Sequence, residues 1–187
     1  MSLLVGVLAL QGDFEAHAKI LEQAGAEPIQ IRNADQLAAV DALVIPGGES
    51  TTIAKLATEY ELVSPIRKRA EQGMAIFGTC AGMIMCAKRI AEGDRPLLEL
   101  VDICVRRNAY GRQVDSFETD LDVRGVGEVH AVFIRAPWIE EVAPDVEVLA
   151  THEGRPVLIR QGRVTLAAFH PELSGDGRLH RLAFDLP

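Results

Sequence analysis

The residues with the clearest chemical meaning are Phe77-Gly78-Thr79-Cys80-Ala81-Gly82, a Gly-x-Cys-x-Gly pattern between an apolar run and a helical one. This is the layout of a nucleophile elbow with sulfur in place of hydroxyl. Glycines on both sides of Cys80 permit the tight, strained turn that lifts a nucleophile above a sheet, and the helix N-terminus that follows offers backbone N–H groups to an oxyanion, that of Ala81 first. A nucleophilic thiol needs a base, and the sequence holds five histidines: His17, His130, His152, His170 and His180. Only His170 has an orienting acid built in. In Phe169-His170-Pro171-Glu172 the proline biases His170 toward an extended backbone, in which side chains two residues apart project to the same side. Glu172 can then accept from the far ring nitrogen of His170 and fix its tautomer, as the third member of a catalytic triad does. His17 and His180 read as helix-surface residues, and His130 and His152 as loop residues. Cys86 and Cys104, set among Ile84, Met85, Ile103 and Val105, read as buried structural thiols.

Pro46-Gly47-Gly48-Glu49-Ser50-Thr51-Thr52 follows another apolar run. Its paired glycines allow close backbone approach, and Ser50 or Thr51 can cap the next helix. A turn plus a cap is the plain reading. The functional one is an oxyanion and substrate loop beside Cys80, with N–H groups from the Gly47–Gly48 turn and Glu49 available to hold a cation. It is not a phosphate loop, because no Gly-Lys-Ser/Thr follows.

These residues need a frame that brings them together. Leu3 to Leu10 is aliphatic with no polar alternation, as in a strand buried on both faces of a parallel sheet. Asp13 to Ala24 has helical spacing and is closed by Gly25; Glu27 to Ile31 is the next strand. Ala42 to Ile45 and Met74 to Phe77 are further buried strands, with helices over Thr51 to Leu62, Pro65 to Gln72 and Ala81 to Ile90. The alternation predicts an open, mostly parallel sheet flanked by helices, with ligands outside the carboxyl ends of the strands. Beyond Asp94 the pattern becomes an antiparallel, β-rich second half: Val101 to Val105, Val114 to Val123, Ala131 to Ile134, Val146 to Ala150, Pro156 to Ile159 and Val164 to Phe169. A short helix from about Gly177 follows. With 187 residues and no repeat or linker, a single domain over 1–187 is expected. A net charge of −8 argues against nucleic acid and anionic membrane as partners. Three cysteines without a CxxC pair argue against zinc and a disulfide scaffold, and the first apolar run lacks a basic n-region, so a cytoplasmic location is expected.

Together, LALQGDFEAH (Leu8 to His17), PGGESTT (Pro46 to Thr52), FGTCAGM (Phe77 to Met83), RNAYGRQVDSFE (Arg107 to Glu118), FIRAP (Phe133 to Pro137) and FHPEL (Phe169 to Leu173) resemble the triad-type (class I) glutamine amidotransferases. Within them the closest resemblance is to the glutaminase subunits of pyridoxal 5′-phosphate synthases. FGTCAG and HPE point only to the superfamily; PGGESTT, GRQVDSFE and FIRAP narrow it. The resemblance implies a flavodoxin-like three-layer fold and hydrolysis of L-glutamine to glutamate and ammonia, the ammonia passing to a synthase subunit as heteromeric partner. It implies no bound cofactor and no metal. The family triad maps onto Cys80, His170 and Glu172, its glutamine-binding residues onto Gly48, Glu49, Ser50, Arg107, Ile134 and Arg135, and Gln11 matches a position beside the oxyanion site. Arg107 or Arg135 has the charge to meet the substrate carboxylate, and Glu49 that to meet its ammonium. Two alternatives stand beside this. One is the glutaminase of another amidotransferase, such as that of imidazole glycerol phosphate synthesis. The other is a non-catalytic sensor using Cys80 as a redox switch, against which the intact His170 and Glu172 pair speaks.

Overall fold

In the computed structural model, which describes residues 2–94, 97–107 and 116–187, the aliphatic runs form the centre of one large sheet. Leu4–Leu8 (β1), Glu27–Ile31 (β2), Ala42–Ile45 (β3), Ala75–Thr79 (β4) and Val164–Ala167 (β12) run parallel. Glu147–His152 (β10) and Arg155–Gln161 (β11) extend that sheet antiparallel, giving seven strands in the order β10-β11-β12-β4-β3-β1-β2. Every residue of β3, β4 and β12 is buried, which is why these segments carry no polar alternation. Helices Phe14–Gln23 (α1), Ala34–Ala38 (α2), Ser50–Glu59 (α3), Val63–Glu71 (α4), Ala81–Cys86 (α5) and Arg178–Phe184 (α6) flank the sheet. Ala87–Ile90 (β5), Val101–Arg106 (β6) and Trp138–Val142 (β9) form a second sheet, and Ser116–Val123 (β7) pairs with Gly127–Ile134 (β8) as a ribbon. Among the described residues no helix is long and apolar enough to cross a membrane.

The predicted helix over Ala81 to Ile90 is only half helical. It ends at Cys86, where Ala87 turns extended at φ −66° and ψ 147°. The backbone N–H groups of Leu98 and Leu100 take the carbonyls of Met85 and Cys86, and β5 then pairs parallel with β6. Lys88 and Arg89 meet Asp102, and Arg89 also meets Glu141, across this sheet. Partners distant in sequence thus override a local helical pattern. Among the described residues, α2, capped by Asn33 accepting from the Gln36 N–H, β9, which pairs antiparallel with β6, and a 3₁₀ turn over Pro171–Leu173 go unforeseen. His130 and His152 sit on strands β8 and β10, not in loops. The first residues of the strand predicted from Val114 lie outside the described residues, as does the Asn108 to Asp115 part of the RNAYGRQVDSFE segment.

Candidate active site

Three neighbouring parallel strands deliver the chemistry at their carboxyl ends. β4 leads into Cys80, β3 into Pro46–Gly47–Gly48, and β12 into His170 by way of Ala168 and Phe169, both buried. Cys80 adopts φ 49° and ψ −103°, a region L-residues avoid at a cost of about 1–3 kcal/mol, so the elbow exists because its surroundings impose it. Its N–H donates to the Ala167 carbonyl at 2.8 Å, and its carbonyl accepts from Met83 and Ile84 as α5 begins. Gly82 makes this geometry possible: a Cβ there would lie 2.1 Å from the backbone oxygen of Ile45. Gly82→Ala is therefore expected to force strand β3 away from the elbow and to lower stability by about 3 kcal/mol, within the range for overpacking. Thermal unfolding checks this; a melting temperature within about 2 °C of the parent contradicts it.

His170 donates through Nδ1 to Oε1 of Glu172 at 2.7 Å, which leaves Nε2 for Cys80, whose Sγ also lies 3.8 Å from the Ile134 carbonyl oxygen. Its backbone N–H donates to the Val132 carbonyl at 2.8 Å, fixing the loop against β8. Burial alone pushes His170 down, but the hydrogen bonds to Cys80 and Glu172 and the charge of both outweigh it and raise its pKa to about 10. That balance favours the imidazolium form of the ring. Glu172, on a 3₁₀ turn of Pro171–Leu173, is itself buried. Gly47 lies against this pair, for a Cβ there would be 2.6 Å from Cε1 of His170 and 3.2 Å from Cβ of Cys80.

A cavity of ≈ 430 Å³ opens over the thiol, large enough for an amino acid. Gly48, Glu49, Ser50, Cys80, Ala81, Arg107, Ile134, Arg135 and His170 line it, and Ile84 adds an apolar wall. Gly47, Glu172 and Gln11 stand behind that lining. Gln11 reaches from the end of β1 to accept the Glu49 N–H through Oε1 at 2.7 Å, and so holds the Gly48–Glu49 peptide. As the first residue of α5, Ala81 has a backbone N–H with no intrahelical acceptor.

The cap of α3 is Glu49, not Ser50 or Thr51. Its carboxylate accepts from the backbone N–H and hydroxyl groups of both Thr51 and Thr52. The Thr51 and Thr52 hydroxyls lead in lowering its pKa to about 2, so an exposed anion stands at the pocket edge. Arg107 pairs with Asp94 at 2.9 Å. Arg135 sits in a left-handed turn at φ 44°.

His17 and His180, expected on helix surfaces, are completely buried. His17 lies 3.3 Å from Glu172 and hydrogen-bonds His180 at 2.9 Å. The signal was present: His17 falls three and four residues before the buried Ile20 and Leu21, and His180 precedes the buried Ala183 and Phe184 by the same steps.

Residues 7–184 match the SNO glutamine amidotransferase family. The chain is 55% identical over 186 residues to the pyridoxal 5′-phosphate synthase subunit PdxT of Frankia alni, covering 97% of this chain and 94% of that one. It is 53% identical over 191 residues to the same subunit of Mycolicibacterium smegmatis, covering 99% of each. A crystal structure of a glutamine amidotransferase superposes with a TM-score of 0.93 at 51% identity, covering 97% of both chains. PurLQS from Thermotoga maritima superposes at 0.72 with 18% identity over 99% of each chain, a likeness of fold alone.

Proposed function

The chain belongs to the SNO glutamine amidotransferase family, and from that premise we propose that it is the glutaminase subunit of a pyridoxal 5′-phosphate synthase, releasing ammonia from L-glutamine for a synthase partner. The observation that carries the reading at the level of residues is the convergence of Cys80, His170 and Glu172 at one cavity. Cys80 Sγ, as the thiolate, attacks the side-chain amide carbon of glutamine, and the carbonyl π electrons move to oxygen. The oxyanion meets the backbone N–H of Ala81 and a donor from the Gly47–Gly48 turn. His170 gives its proton to nitrogen, because an amide nitrogen leaves poorly as an anion, and the C–N bond breaks to release ammonia. Water then attacks the thioester while neutral His170 takes its proton. The C–S bond breaks, glutamate departs and the Cys80 thiolate and His170 imidazolium are restored. Glu49 is placed to hold the substrate ammonium, and Arg107 or Arg135 its carboxylate. Three free thiols fit a reducing compartment, the cytoplasm.

Ammonia released without an acceptor is lost, so the site has reason to stay idle until the partner docks. The turn provides a means. Gly48 sits at φ +143°, where side chains are strained, and its peptide to Glu49 is held by Gln11. A partner that moves the Gln11 segment frees the Glu49 end of the turn, so that the Gly47–Gly48 peptide can rotate its N–H toward the oxyanion, and a bias of ~3 kcal/mol changes that donor-in population by about two orders of magnitude. Purified chain alone is therefore expected to produce glutamate from glutamine about 100-fold more slowly than with synthase present. Equal rates with and without synthase refute the gating while leaving the triad in place. Absence of glutamine turnover under either condition refutes the glutaminase reading itself.

A further inference from the structure

Behind Glu172 runs a buried polar chain that the reaction steps above do not use. Glu172 presents Oε1 to His170, but its Oε2 is buried and finds no well-aligned hydrogen bond among the described residues. Nε2 of His17 stands 3.3 Å from that oxygen and 3.2 Å from the Thr79 hydroxyl. On the other side of the ring, Nδ1 of His17 is 2.9 Å from Nε2 of His180, whose own Nδ1 is buried without a partner among the described residues. The chain therefore joins helices α1 and α6 to the triad through side chains that water does not reach.

Two proton arrangements fit these distances. In the first, His180 Nε2–H donates to His17 Nδ1, and His17 Nε2–H points at Oε2 of Glu172 and the Thr79 hydroxyl. In the second, His17 Nδ1–H donates to His180, and a bare lone pair of His17 Nε2 faces the carboxylate. The second places lone pair against anion and also leaves His180 Nδ1–H as a buried donor with no acceptor, a rarer defect than a buried acceptor with no donor. The first avoids both. We propose that His17 is a positioning residue of the reaction, its Nε2–H turned to Oε2 of Glu172 by the donor that His180 supplies to its other nitrogen.

Facing an N–H at 3.3 Å instead of a lone pair, the Oε2 side of the carboxylate is attracted to His17, so Oε1 stays on His170 Nδ1 and the imidazole stays aimed at Cys80. Both outer histidines remain neutral in this arrangement. Burial pushes His17 well below its ordinary value, with His180 and His170 adding to the effect, and burial takes His180 to about 3 against a smaller opposing pull from Asp176. The groups facing His17 are thus His180 from α6, Thr79 from β4, and Glu172 and His170 from the loop after β12.

The kinetic arm of the test rests on the glutaminase reading; the spectroscopic arm does not. The full chain labelled with ¹⁵N-histidine, with His17→Gln and His180→Gln used for assignment, gives the tautomers directly from long-range ¹H–¹⁵N spectra at pH 7. The expected result is a neutral His17 protonated at Nε2; an Nδ1–H tautomer or an imidazolium at His17 overturns the proposal. In complex with synthase, His17→Leu is expected to lower kcat about 10- to 100-fold with KM within about threefold, and His17→Gln, which retains an N–H, to recover most of the loss. A folded His17→Leu with parental kcat, or equal losses in the two variants, overturns it. If His17→Leu does not fold, His180→Phe takes its place, because phenylalanine keeps the edge-on ring contact with Phe77 and removes only the donor. A parental kcat there overturns the proposal too. The pH profile of Cys80 alkylation by iodoacetamide needs no glutamine turnover: a shift in His17→Leu but not in His17→Gln supports positioning, and an unmoved profile with a lowered melting point marks a structural role and overturns it.

Discussion

Cys80→Ala is expected to abolish glutamine hydrolysis, a loss of about 10⁴-fold or more, while Cys86→Ala and Cys104→Ala keep most of the activity. The three thiols differ in what surrounds them. Cys86 closes α5 inside the core, where burial pushes its thiol up to about 12 and leaves almost no thiolate at neutral pH. Cys104 lies on β6, raised by burial first and by Glu141 next. Of the three thiols, Cys80 alone stands on a strained elbow, beside His170 and opening into a cavity of amino-acid size. A glutamine-analogue electrophile should label it in preference to the others, and mapping the adduct by peptide mass spectrometry reads the result. Labelling mainly at Cys86 or Cys104 would remove the nucleophile assignment and with it the thioester route.

How much of this site could be read from sequence followed from how local each determinant was. Cys80 was legible because a strand, two glycines and a helix specify an elbow within a few residues. The pairing of His170 with Glu172 was legible from their spacing, but not its geometry: Pro171–Leu173 forms a 3₁₀ turn in place of the expected extended backbone, and that turn brings Oε1 to Nδ1. The central strands were legible because burial on both faces leaves β3 wholly apolar and β4 with only its last residue, Thr79, polar. Failure came where distant partners decided the outcome. Ala87–Ile90 pairs with β6 instead of continuing a helix, and β9 exists only because β6 offers it an edge. His17 and His180 went to the surface in the sequence reading because an isolated buried histidine is costly. They are buried because each partly satisfies the other, with Thr79 and Glu172 completing the set, a condition that exists only once α1 and α6 lie against the ends of β4 and β12. Arg107 and Arg135 reach the same cavity from different elements, a convergence that spacing along the chain does not disclose.

His170→Asn is expected to lose activity nearly as completely as loss of the thiol, whereas Glu172→Gln is expected to lose about one to two orders of magnitude less. In the proposed mechanism His170 moves protons in both half-reactions, giving one to departing ammonia and taking one from water. Glu172 acts only through the ring it orients, and a thiol nucleophile depends less on that help than a hydroxyl does. The two variants also separate by pH. The folded-state value of His170, about 10, stands above its ordinary 6.5, so its protonation contributes stability that is complete below about pH 6.5 and is lost as pH rises through about 10. Denaturant titrations across that range should show the stability gap between parent and His170→Asn widest at the acid end and closing toward pH 10. Glu172→Gln removes a hydrogen bond and a charge that hold the imidazolium, so in its background the same gap should close at lower pH. A gap that widens with rising pH contradicts the charged imidazolium. A folded His170→Asn enzyme with parental turnover in the presence of synthase would require another base within reach of Cys80, yet His17 and His180 are turned to each other and held neutral by burial. On the proposed mechanism the proton traffic therefore has one route through this site, and its loss should be visible in both half-reactions: no burst of ammonia on mixing with glutamine, and no hydrolysis of a thioester preformed on Cys80.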